Sequence, residues 1–145
     1  MNITDLITGS AIALVGTVIG WFLNRNSSID LLERQEFRRN ASDFIVTFTD
    51  IIDFLESDIP ETNPDKFHSR FERSFPKIAE GVIKFRIHLP KTKRTDFNIA
   101  WQNYRRLRGS IQNQKKEDYN ETKLKSIVQT HIDDLLKFTE YEYLK

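Results

Sequence analysis

The side chains most open to chemistry in this chain are cationic. Between Lys84 and Lys116 stand ten basic residues, among them Lys84, Lys115 and Lys116, against one acid, Asp96. Between Asp30 and Asp65 the balance inverts, with ten acidic residues against three basic. The net charge of +1 over 145 residues hides both segments. Crowded guanidinium and ammonium groups attract anions. Arg86, Lys91, Lys93, Arg94, Arg105, Arg106 and Arg108 are therefore the candidate contacts for an anionic partner, whether inner-leaflet lipid, a nucleic acid or an acidic protein. The competing reading pairs the basic segment 84–116 with the acidic helix 30–58 inside the fold. Trp101 and Tyr104 lie among the arginines but fall on an apolar seam. That makes them core side chains rather than stacking platforms, and argues against nucleic acid as a partner.

Other chemistries lack their residues. There is no cysteine, hence no disulfide framework and no thiolate. Of His68, His88 and His131, only the first has a metal-like spacing, Asp65-x-x-His68, and no second pair accompanies it. H-E-x-x-H, a phosphate-binding glycine loop and G-x-S-x-G are all missing. No histidine has an arginine four to six residues upstream, as the small α-helical nucleases require. The carboxylate pairs Asp50/Asp53 and Asp133/Asp134 fall on faces expected to be solvated, whereas acid–base work needs a pocket that perturbs pKa. The sequence thus points away from an enzyme, a cofactor, a metal or a small-molecule substrate. Asn40-Ala41-Ser42 and Asn120-Glu121-Thr122 match glycosylation sequons, which carry meaning only outside the cytoplasm.

The elements that must position the cationic segment begin with an anchor. From Leu6 to Asn24 the chain runs nineteen residues without a charge, between Asp5 and Arg25. As a helix this is about 28 Å long, close to the roughly 30 Å hydrocarbon core. Trp21 and Phe22 suit the interface at its end. A cleavable signal peptide would need a basic start, a shorter apolar run and an A-x-A-like site, and none is present. No Lys or Arg precedes the run, while Arg25, Arg34, Arg38 and Arg39 follow it. Residues 1–26 are therefore expected to be a transmembrane anchor with the N-terminus outside, and 27–145 a cytoplasmic domain at the inner membrane. Gly9, Ala13, Gly16 and Gly20 line one stripe of that helix. Gly16 and Gly20 form a G-x-x-x-G pair suited to a homodimer or a partner anchor.

In the soluble part, Ser27 and Asp30 suggest a capping box opening a helix over 28–57. Its seam is Phe37, Ala41, Phe44, Phe48, Ile51 and Leu55, spaced by four and three as in a coiled coil. Pro60 and Pro64 mark a break, with Asn63-Pro64 as N-cap and first helical residue. The next helix runs to about His88 with Phe67, Phe71, Ile78, Val82, Phe85 and Leu89 inward, and Pro76 predicts a kink or a short interruption near Ser74. After Leu89-Pro90 a segment carries Phe97, Trp101, Tyr104 and either Leu107 or Arg108, ending near Gly109. Asp118 with Glu121 is expected to cap the last helix, seamed by Leu124, Ile127 or Val128, His131 or Ile132, Leu135 and Phe138. Short connections imply antiparallel neighbours, so the expected class is all-α, an up-down four-helix bundle behind an anchor.

The stretch from Phe85 to Phe97, with Ala100-Trp101 and Tyr104, and the exit Gly20-Trp21-Phe22-Leu23-Asn24-Arg25, resembles a group of uncharacterised small bacterial single-pass membrane proteins. The resemblance covers about a third of the chain. It implies a bacterial or phage setting and a helical cytoplasmic domain, with no catalytic residue to carry over. The function expected is a membrane-anchored helical binding or scaffold module, contacting anionic lipid or a protein partner. The alternative is an oligomerising membrane effector of phage-exclusion or toxin type, assembled through the glycine stripe.

Overall fold

In a computed structural model, the described residues are 31–57, 63–113 and 118–140. All their regular structure is helical, and they contain no strand. Among them no helix is long and apolar enough to cross a membrane. The run Leu6–Asn24, with its glycine stripe, lies outside the described residues, as do Pro60, Lys115 and Lys116. The chain divides into two units, the second being Phe37–Lys145. Of the first, residues 31–36 are described, helical with exposed side chains.

The second unit opens on α1, helical residues 37–46, followed by α2, Thr49–Glu56. The helix expected over 28–57 is thus interrupted at Thr47 and Phe48. Thr47 Oγ1 donates to the Phe44 carbonyl at 2.7 Å, and Thr49 Oγ1 to that of Val46 at 2.9 Å. The amides of Thr47 and Phe48 bond back three residues rather than four. Threonine hydroxyls that compete for the preceding turn's carbonyls bend or break helices. Past the break the inward position moves from Leu55, which is half-buried, to Phe54.

Helix α3, Pro64–Arg86, starts as the sequence indicates, with the Asn63 side chain accepting from the Asp65 amide and proline in the first turn. It continues as one helix through Pro76, so of the two expected disturbances near Ser74 a short interruption is absent. All six expected inward positions from Phe67 to Leu89 are buried. Helix α4, Lys91–Gln112, continues past Gly109 because Ile111 still has core to fill. A methyl at Gly109 would meet nothing within 4 Å, so this glycine marks no close approach. Helix α5, Glu121–Leu136, is capped by Asn120, whose side chain accepts from the Lys123 amide at 2.9 Å. That corrects the expected Asp118 cap. A 3₁₀ turn, Lys137–Thr139, brings in Phe138. On α5 the buried alternatives are Val128 and Ile132.

The core is an aromatic column. Phe44 stacks on Phe85 at 4.7 Å between ring centres, with Phe48 and Phe97 edge-on to it. Phe54 meets Phe67, Phe71 meets Tyr104, and Phe97 meets Phe138. Contacts climb one helix as they descend the next. Phe37 and Phe85 pair near one end of the unit, Phe54 and Phe67 near the other. Likewise Phe85 pairs with Phe97, and Glu72 with Arg108. Burying each of these rings contributes roughly 2–3 kcal/mol, with about 1 kcal/mol more from favourable ring pairing.

Candidate functional site

Six residues of α4 follow one another at intervals of three and four: Lys91, Arg94, Asn98, Trp101, Arg105 and Arg108. Such spacing places them on one stripe. The seam Phe97, Ala100, Tyr104, Leu107 and Ile111 is buried beside it. From α3 the stripe is met by Glu72, Phe75, Ile83 and Arg86. Phe75 lies against Trp101 at 5.5 Å, rings 24° apart. Val82, Ile83, Arg86 and Ile87 of the α3 side and Arg94, Asn98 and Trp101 of α4 enclose a surface groove of about 310 Å³. Of the seven cationic candidates, Arg86, Lys91, Arg94, Arg105 and Arg108 belong to this face. Lys93 and Arg106 fall off it.

The five cations are not equivalent. Arg94 Nε donates to the Leu89 carbonyl at 2.9 Å and its Nη2 to that of Ile87 at 2.8 Å. It thus satisfies carbonyls left open past the end of α3 and clamps the α3–α4 turn. Arg108 forms a fork with Glu72, Nε to Oε1 at 2.6 Å, and lies over the Phe75 ring at 5.1 Å. The Glu72 carboxylate holds this guanidinium above its ordinary pKa. Glu72 also has His68 Nε2 at 3.6 Å. Arg86, Lys91 and Arg105 are exposed and make no ion pair among the described residues.

The acidic helices do not supply the partner for Arg108, whose carboxylate comes from α3. Asp50 of α2 instead reaches Lys77 of α3 at 3.5 Å. Lys84 pairs with Glu80, whose carboxyl it holds below the usual range, first by hydrogen bonding.

A second groove, about 320 Å³, lies between α1 and α3. Its Asp43, Glu80, Lys77 and Lys84 offset one another, which leaves little to select a ligand. At its floor, a methyl on Gly81 would come within 2.6 Å of Thr47 Cγ2, so glycine here permits the two helices to approach. Among the described residues no group of His, Asp or Glu is arranged to hold a metal ion. Asp65 stands in the first turn of α3, where its backbone amide donates to the Asn63 side chain.

The most exposed large apolar side chains of this face, Ile83 at 71% and Ile87 at 66%, were not legible as site residues. They lie off the seam Val82, Phe85, Leu89, and their separation of four was the available signal. No protein-family model, curated protein or solved structure matches the chain, so the resemblance to small bacterial membrane proteins rests on the quoted residues alone.

Proposed function

We propose that this chain is a membrane-tethered binding module: an apolar anchor over 1–26 carrying an antiparallel four-helix bundle, with the α3–α4 face as its contact surface. One observation carries the reading. Ile83 and Ile87 stand in solvent one helical turn apart, beside Arg86, Lys91 and the half-buried Trp101. Isolated exposed aliphatics need no explanation, but a pair flanked by an indole and by cations that make no ion pair among the described residues has the composition of a contact face. The absence of catalytic motifs from the sequence directs the reading toward binding rather than turnover.

The test is photocrosslinking in membranes. A photoreactive side chain replaces Ile83 in the full chain, and a second copy of the experiment places it at Gln112, the far end of α4. Adducts confined to position 83 support the module. Equal or absent labelling at both positions would defeat it. The tether is checked separately: the full chain is expected to stay with membranes in alkaline carbonate.

A further inference from the structure

We infer that the α3–α4 turn end of the domain docks onto an anionic lipid surface. Ile83 and Ile87 enter the headgroup boundary while Arg86 and Lys91 meet phosphates. The inference deepens the proposed module by naming what its contact face meets, and rests on that reading.

Four observations converge on this end. Between Gly81 and Thr95 there are five basic residues and no acidic one. Two of them, Arg86 and Lys91, are exposed with no ion pair among the described residues. The two isoleucines on the same rim are the most solvated large apolar groups of this face. Finally, the chain enters the folded unit here. Phe37 packs on Phe85 at 5.8 Å, and Asn40 Nδ2 lies 3.2 Å from His88 Nδ1. Only twelve residues, 25–36, separate Phe37 from Asn24 at the end of the apolar run. Since 31–36 are helical, the twelve together reach about 35 Å at most.

Part of the turn's backbone is satisfied within the turn, while the first amides of α4 have no side-chain cap and stay open to an anionic oxygen. The carbonyls of Ile87 and Leu89 are taken by Arg94, the amides of His88 and Leu89 bond to Phe85 and Arg86, and Pro90 has no amide to satisfy. The nearest acids do not oppose the approach. Glu80 is neutralised by Lys84, and the spacing puts Asp96 on the other side of α4 from the stripe. Aliphatic side chains beside an indole and basic groups are the composition of an interfacial surface.

Because the chain has no cysteine, single cysteines give unique labels. Full-length Ile83→Cys, Ile87→Cys and Asn113→Cys would each carry a polarity-sensitive fluorophore. Asn113 follows the far end of the 22-residue α4, about 33 Å from the turn. The proteins are reconstituted in phosphatidylcholine vesicles with or without phosphatidylglycerol, and quenching by spin-labelled lipid is read.

We expect quenching at 83 and 87, dependent on phosphatidylglycerol, and none at 113. Arg86→Gln and Lys91→Gln should each weaken the docked state about fivefold. Labels at 83 and 87 that stay as solvated as that at 113 in anionic vesicles overturn the inference, and would direct the face to an acidic protein instead. Carbonate extraction separates the two claims. A chain that resists extraction while 83 and 87 stay solvated loses the docking and keeps the anchor. A chain that is extracted yet quenched at 83 and 87 loses the anchor and keeps the docking.

Discussion

Tyr104 combines full burial with a hydroxyl that finds no hydrogen-bond partner among the described residues. Burial pushes its phenol well above the ordinary value of 10.0, and the Ser74 hydroxyl opposes this only weakly, since it donates to the Phe71 carbonyl at 2.8 Å. Removing the unpaired oxygen by Tyr104→Phe should stabilise the domain by about 1 kcal/mol at neutral pH, read from urea unfolding. Because the folded-state pKa is raised, the tyrosine's contribution is intact below 10.0 and declines above it, where only the unfolded chain ionises. The gap between variant and parent should therefore widen above that pH, by at most about 1.4 kcal/mol per unit. A gap independent of pH would contradict the burial argument. Arg94 is the other residue whose role its type alone concealed. Its sequence neighbours mark it as an anion contact, yet its guanidinium clamps the turn. Arg94→Lys should cost about 1–3 kcal/mol in thermal or urea unfolding, because an ammonium does not reproduce two diverging donors to two carbonyls.

At the scale of elements, the interior and the start of α3 followed from the sequence, while the break after α1 and the start of α5 did not. Every predicted inward residue of α3 is buried, and Asn63-Pro64 opens it. The break at Thr47 was hidden because an unbroken seam continues through it, and its neighbour Gly81 lies far away in sequence. Gly81→Ala should gain up to about 1 kcal/mol of helix propensity but lose about 1–3 kcal/mol to the clash with Thr47. The net loss should shrink in the double variant with Thr47→Ala, which removes Cγ2. Additive effects in that cycle would show that Gly81 and Thr47 do not press on each other. At the start of α5 both Asp118 and Asn120 are good capping types, and only backbone geometry selects between them. Asn120→Ala should cost about 1 kcal/mol of unfolding free energy.

For the whole molecule, the division of charge along the chain was plain in the sequence, but its resolution was not. Arg108 could have been paired with the acidic residues of 30–58 or left for a ligand. It is paired, with Glu72 of α3. Arg86, Lys91 and Arg105 remain open to solvent. Since the contact face is proposed to act beside a membrane, salt should weaken its attraction to anionic vesicles while leaving the folded domain's unfolding midpoint nearly unchanged. If the glycine stripe also joins two chains, Gly16→Ile with Gly20→Ile should abolish crosslinked dimers in membranes without altering carbonate resistance. Dimers that persist would remove that role.

Composition and periodicity alone determined that the domain is helical, which residues of α3 turn inward, and that there is no thiolate; on α4 they placed Trp101 on the seam, where it is half-buried, and missed the buried Ala100 and Ile111. Those properties are local: a repeat of 3.6 residues sorts apolar from polar side chains without reference to any other helix. Tertiary structure decided which cation is engaged, where the first helix breaks, and which isoleucines are left in water. Each depends on what a neighbouring helix places within a few ångströms, and a linear pattern of types does not contain that distance.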